Sequence, residues 1–167
     1  MATLYTDRLT LRPWHDDDAE ALYLHASDPE VGNAAGWPPH SSVEMSRMVI
    51  REYFSAPETY AIVLKETGKP VGCCGLVPPG ARPNARIAPD EAEIGYWIGK
   101  SYWGLGLATE AVKALMSHAT ATLDKKALWI GCYHSNHRSA RVAEKCGFIY
   151  DHATDEEVFF KHSPQLR

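Results

Sequence analysis

The stretch "YWGLGLATEA", residues 102–111, decides how this chain is read. Gly104 and Gly106 alternate with apolar residues, and Ala108-Thr109-Glu110-Ala111 then opens a helical pattern. Glycine weakens helices and strands alike, so two at such a junction need a reason. Upstream, "AEIGYWIG" at 92–99 reads as a strand. Downstream, Leu107, Ala111, Leu115 and Ala119 recur every four residues and predict a helix from about Leu107 to Ala121. Strand, glycine turn and helix together form an anion frame. Backbone N–H groups point outward, the helix dipole adds roughly half a positive charge, and glycine lets a phosphate approach.

Three simpler accounts fit less well. In the dinucleotide fingerprint GxGxxG the third glycine would fall at Thr109, and no acidic ribose partner is apparent. The nucleotide phosphate loop is nearly matched by "GYWIGKS", but Gly95 and Gly99 stand one residue too close. A plain tight turn seldom needs both glycines followed directly by small Ala108.

Working outward, "LTLRPW" alternates and predicts a first strand over 3–13, and "HDDDAEALYLHASD" follows as a helix with acids in its first turn. The stretch 32–42 reads as a loop, with Ser41 or Ser42 capping a second helix to about Ser55. "TYAIVLKETGKPVGCCGLV" reads as a hairpin, followed by a Pro-rich loop over 78–90. "KALWIGCY" predicts a strand. "SNHRSARVAEKCGF" predicts a helix with Ser135 or Asn136 as N-cap and Gly147 just past its end, and one or two strands close the chain. The order is that of an α/β (α+β) domain: a mixed, mostly antiparallel sheet of about six to seven strands with about four helices. With 167 residues and no long linker, the chain reads as a single domain over 1–167.

Composition narrows the function classes. A formal net charge of −4 argues against a general nucleic-acid binder. No apolar run approaches the roughly 18 residues of a membrane span. The N-terminus lacks the apolar core of a signal peptide, so the expected location is cytoplasmic. The 4 cysteines form no CxxC pair and read as buried thiols. "CYHSNH" (Cys132, His134, His137) lacks a fourth ligand at a zinc spacing, so no metal is expected.

The stretch "YWGLGLATEA" resembles the pyrophosphate loop of the GNAT superfamily of acyl-CoA N-acyltransferases, whose pattern is Q/R-x-x-G-x-G/A. Gly106 and Ala108 take the two small positions, and Trp103 stands at the Q/R position, as in the RimJ/RimL branch that acetylates ribosomal-protein N-termini. "TDRLTLRPWHDDDAEALY", "AEIGYWIG" and "NHRSARVAEKCGF" resemble other segments of that branch, in its order and spacing. The resemblance implies the acyl-CoA N-acyltransferase fold and an acetyl-CoA-dependent N-acetyltransferase. It further implies direct attack of a primary amine in a ternary complex, by a monomer or homodimer. The acceptor is a protein N-terminus or a small-molecule amine. A weakly catalytic acyl-CoA-binding regulatory module is the alternative.

The resemblance also implies a site. Strands 92–99 and 126–133 splay, and the pantetheine arm takes main-chain contacts at Trp97 and Ile98. Backbone from Trp103 and Gly104 through Leu105, Gly106, Leu107 and Ala108 to Thr109 receives the pyrophosphate. Asn136 holds the amide arm, and Ser139, one turn on, lies near the sulfur, where a hydroxyl can donate to the leaving thiolate. Many members carry a proton-donating Tyr seven residues after this Asn. Here that position is Ala143, so Ser139 is the candidate acid. Glu93 is the candidate base, with His134 the alternative. An α-amine of pKa ~8 costs roughly 1 kcal/mol to deprotonate at pH 7, against roughly 4–5 for lysine, so a weak base relayed through water suffices. Trp37, Pro38 and Pro39 form a stiff substrate wall with Tyr96, and Asp90 and Glu91 are candidates to attract a cationic amine.

Overall fold

The computed structural model describes residues 1–82, 84 and 86–164; Pro83 and Ala85 of the predicted loop over 78–90 lie outside the described residues. The chain gathers into two compact units, Met1–Gly75 with Tyr96–Ala111, and Leu76–Gly95 with Val112 onward.

The first unit opens with a hairpin where a single strand over 3–13 was expected. β1 (Leu4–Tyr5) and β2 (Leu9–Arg12) pair antiparallel, with Leu4 opposite Leu11. The cause is the Thr-Asp-Arg turn. The Thr6 amide donates to the Leu9 carbonyl at 2.9 Å, and the Thr6 hydroxyl accepts the Leu9 amide at 2.9 Å. A side-chain oxygen thus offers the backbone an alternative to extension. β2 pairs with β3 (Thr59–Leu64), which forms the expected hairpin with β4 (Lys69–Val77). In hydrogen-bonded order the strands run β1-β2-β3-β4-β5, where β5 is Ala92–Ile98 and lends its C-terminal half to this unit.

Three helices follow β2: α1 (Ala19–Ala26), α2 (Pro29–Ala35) and α3 (Val43–Glu52). Helix α2 takes the first four residues of the expected loop over 32–42, and 36–42 remain loop. Asp28 caps it by accepting the Glu30 amide at 2.9 Å, Pro29 sits in its first turn, and Gly36 ends it. Ser42 caps α3, accepting the Met45 amide at 3.0 Å. Trp14, Leu22, Ala26, Ile50, Val63 and Cys73 form this unit's core, and Trp37 and Trp97 pack against it.

In the second unit the order is β5-β6-β8-β7, with β6 at Leu128–Tyr133, β7 at Ile149–Ala153 and β8 at Glu157–His162. β5 and β6 are parallel, but their pairs are only Ala92 with Leu128 and Glu93 with Trp129. The remaining ladders are antiparallel. Helix α4 spans Leu107–Ala121, and its residues Leu107, Ala111, Leu115 and Ala119 are buried as the four-residue spacing predicts. Helix α5 is His137–Lys145. Among the described residues the eight strands and five α-helices exceed the sequence count, because the first strand divides and α2 forms over Pro29–Ala35. All four cysteines are buried thiols.

Candidate active site

The glycine turn belongs to the first unit. Gly104 and Gly106 have φ of +78° and +77°, the left-handed region that L side chains enter at a cost. Gly104, Leu105 and Gly106 are exposed, whereas Leu107 is buried and anchors the start of α4. The first intrahelical bond runs from the Glu110 amide to the Gly106 carbonyl at 3.1 Å, so the amides of Leu107 and Ala108 lie ahead of the helical ladder. Lys100–Tyr102 form a separate 3-10 turn, which is why the near-miss "GYWIGKS" is not a helix start.

Trp103 at the Q/R position has a structural use: its indole Nε1 donates to the Ile98 carbonyl at 2.8 Å and ties the turn to the end of β5. Thr6 and Arg8, from the β1–β2 turn, meet the glycine turn and the first turn of α4. The Arg8 guanidinium donates to the Leu105 carbonyl at 2.8 Å and to Glu110 at 2.7 Å, and the Thr6 hydroxyl donates to Glu110 at 2.6 Å. Burial raises the Glu110 carboxyl, but Thr6 and Arg8 outweigh it and hold the group below the usual carboxylate range. Nothing in the sequence places Arg8 against Glu110, 102 residues away. The turn chemistry around Thr6 is the only local signal there.

Of the predicted substrate wall, Trp37 meets Trp97 edge-on, with ring centroids 5.6 Å apart, and lies 5.4 Å from the His40 ring. Pro38 is exposed, Pro39 half-buried, and Tyr96 half-buried on the strand face opposite Trp97.

The second unit carries the predicted acid–base residues. Glu93 is 1% exposed. Gly131 lies just past the end of the β5–β6 ladder, and the Glu93 carboxylate stands against it. A Cβ on Gly131 would stand 3.0 Å from Glu93 Oε1 and 2.7 Å from the Phe159 ring, so this contact requires glycine. Arg82 lies between two carboxylates, with its Nε 3.3 Å from Glu93 Oε1 and its Nη2 on Glu157. Glu93 Oε2 is buried without a hydrogen-bond partner among the described residues. Burial pushes the Glu93 carboxyl above the usual range; Arg82 and the Gly131 amide pull it back, and Glu157 adds to the rise.

Asn136 is the N-cap of α5, its Oδ1 accepting the Ser139 amide at 3.2 Å. Burial holds the Cys132 thiol above its ordinary range, and the neighbouring Ser139 side chain pulls it back in part. The expected amine attractor Glu91 is a structural carboxylate. It is 8% exposed and bound by Trp129 Nε1 at 2.7 Å, the Ala88 amide at 3.1 Å and Lys161 at 3.2 Å. Asp90 is exposed. The alternative base His134 is exposed, its Nε2 bonded to the Thr154 carbonyl at 2.8 Å. Among the described residues no three His, Cys, Asp or Glu side chains gather as a metal site, and no helix is long and apolar enough to cross a membrane.

The family described as acetyltransferase (GNAT) domain matches residues 8–149, a span that runs through both units. The chain belongs to the GNAT acetyltransferase family. This GNAT chain is an acetyl-transferring enzyme with the family's mixed α/β fold. It is 36% identical over 129 residues to an uncharacterised N-acetyltransferase of Bacillus licheniformis, covering 74% of this chain and 69% of that protein. Over 76 residues it is 34% identical to the ribosomal-protein-serine acetyltransferase of Escherichia coli, covering 44% of this chain and 42% of that protein. Its fold matches that of RimL, a ribosomal alpha-N-protein acetyltransferase solved in complex with coenzyme A. That match has a TM-score of 0.77 at 20% identity and covers 97% of this chain and 98% of the RimL chain.

Proposed function

We propose that residues 1–167 form one GNAT domain that transfers an acetyl group from acetyl-CoA to the N-terminal α-amine of a peptide or protein. The observation that carries the cofactor reading is the exposed turn with positive φ at Gly104 and Gly106, opening the 15-residue helix α4. Backbone amides in such a turn, with the helix dipole behind them, suit a pyrophosphate. Support for the acceptor comes from the ribosomal-protein-serine acetyltransferase among the relatives and from the ease of deprotonating an α-amine.

In this reading the amine nitrogen attacks the thioester carbonyl carbon. The tetrahedral adduct collapses, the C–S bond breaks, and the acetyl group stays on nitrogen as the thiolate leaves. Glu93, relaying through water, takes the proton the amine must lose; a buried carboxyl with a raised pKa is a better base than an ordinary carboxylate. The Ser139 hydroxyl donates to the departing sulfur. Backbone from Trp103 to Thr109 receives the pyrophosphate. Trp97 and Ile98 take the pantetheine arm, Ile98 through its amide because its carbonyl already accepts from Trp103. Asn136 reaches the arm with its Nδ2 side, since Oδ1 is committed to the cap. Trp37 and Pro38 line the acceptor.

The test is thiol release from acetyl-CoA across serine-, alanine- and methionine-initiated peptides, their N-acetylated forms, polyamines and amino acids. Free-amine peptides are expected to turn over and the capped ones not. Preference for small amines overturns the acceptor reading. Tight acetyl-CoA binding with no turnover supports a regulatory module.

A further inference from the structure

Glu110 poses an electrostatic problem. A carboxylate in the first turn of a helix suits the helix dipole, but a negative charge beside a turn meant for pyrophosphate opposes the ligand. The structure surrounds this carboxylate with donors. Oε1 accepts the Thr6 hydroxyl at 2.6 Å and the Arg8 amide at 2.9 Å, while Oε2 accepts Arg8 Nε and Nη2, each at 2.7 Å. The same guanidinium continues to the turn. Its Nη1 holds the Leu105 carbonyl at 2.8 Å, and a Cβ on Gly106 would stand 3.5 Å from its Nη2. Arg8 remains 47% exposed, so this cation lies at the surface beside the exposed glycines.

We infer that Arg8 is a cofactor-positioning residue, cancelling the Glu110 charge beside the glycine turn so that the head of α4 stays attractive to pyrophosphate. The inference rests on the reading of that turn as the acetyl-CoA site. Arginine suits the task because Nε and Nη2 of its fork converge on Glu110 Oε2 while Nη1 still donates to the Leu105 carbonyl. Lysine would supply the charge without the fork.

Titration calorimetry with acetyl-CoA tests this and needs no acceptor. Arg8→Gln should weaken binding tenfold or more, because Glu110 is left as an uncancelled anion. Arg8→Gln combined with Glu110→Gln should return affinity to within about threefold of the parent, and Arg8→Lys should stay within a similar margin. Glu110→Gln alone, which leaves the cation beside the turn, should bind at least as tightly as the parent. A merely structural tether predicts instead that the double variant is no better than Arg8→Gln, and that result overturns the inference. So does unchanged affinity in Arg8→Gln. If Arg8→Gln fails to fold, a tenfold loss in Glu110→Gln overturns it and undiminished affinity supports it. Gly106→Val separates the two readings. If it binds acetyl-CoA like the parent, the turn is not the site. If it loses affinity while Arg8→Gln does not, only the role of Arg8 falls.

Discussion

Substituting the two turn glycines separates conformation from bulk. Gly104 and Gly106 sit at φ +78° and +77°, where an L-residue costs about 1–2 kcal/mol. In the free protein a substituted turn relaxes out of this region, and binding must restore it. At about 1.4 kcal/mol per tenfold, acetyl-CoA affinity should fall by roughly 5- to 30-fold. A Cβ at Gly104 meets nothing within 4 Å, so Gly104→Ala isolates the conformational cost. Gly104→Asn should lose less than Gly104→Ala, because asparagine tolerates left-handed backbone. Gly106→Val should lose more than about 30-fold, since a β-branched residue is a genuine outlier at positive φ and its methyls crowd Arg8. The assay is titration calorimetry with acetyl-CoA, with circular dichroism to confirm folding. Parental affinity in Gly104→Ala would refute the reasoning. Gly104→Asn more damaging than Gly104→Ala would assign the loss to bulk rather than backbone.

Glu93→Gln should lower kcat/KM by about 10²-fold or more at neutral pH. It should leave acetyl-CoA affinity nearly unchanged, with the loss shrinking as pH passes the amine's own pKa; a loss equal at every pH would assign Glu93 a structural role. Because the base must be ionised, and Arg82 favours its ionised form while Glu157 opposes it, two neighbours should act in opposite directions. In a pH–rate profile, Arg82→Met should move the acid limb to higher pH and Glu157→Gln to lower pH; limbs moving together would sink this account. Ser139→Ala should reduce kcat more than it weakens acetyl-CoA binding, and an unchanged kcat would assign the hydroxyl to its contact with Cys132.

Local chemistry was legible in the chain before folding. Helix α4 begins and ends where the four-residue spacing put it, Ser42 and Asn136 cap as their residue types suggest, and the "ETGK" hairpin joins β3 to β4. These features are set by residues within about one turn of each other, and side-chain type alone biases them. The same kind of local signal lies at Asp28-Pro29, which starts α2, and at Thr6, which turns the chain between β1 and β2. The charges were not legible. Asp90 and Glu91 look alike in sequence, yet Glu91 is bound by Trp129 and Lys161, on β6 and β8. Glu93 could be placed on a strand, but not its burial against Gly131, nor Arg82 shared with Glu157. Arg8 could be placed in a turn, but not on Glu110. Backbone preferences act over a few residues, so sequence carries them. The ionisation and orientation of a carboxylate depend on burial and on donors brought from distant chain, which exist only once the tertiary structure has formed.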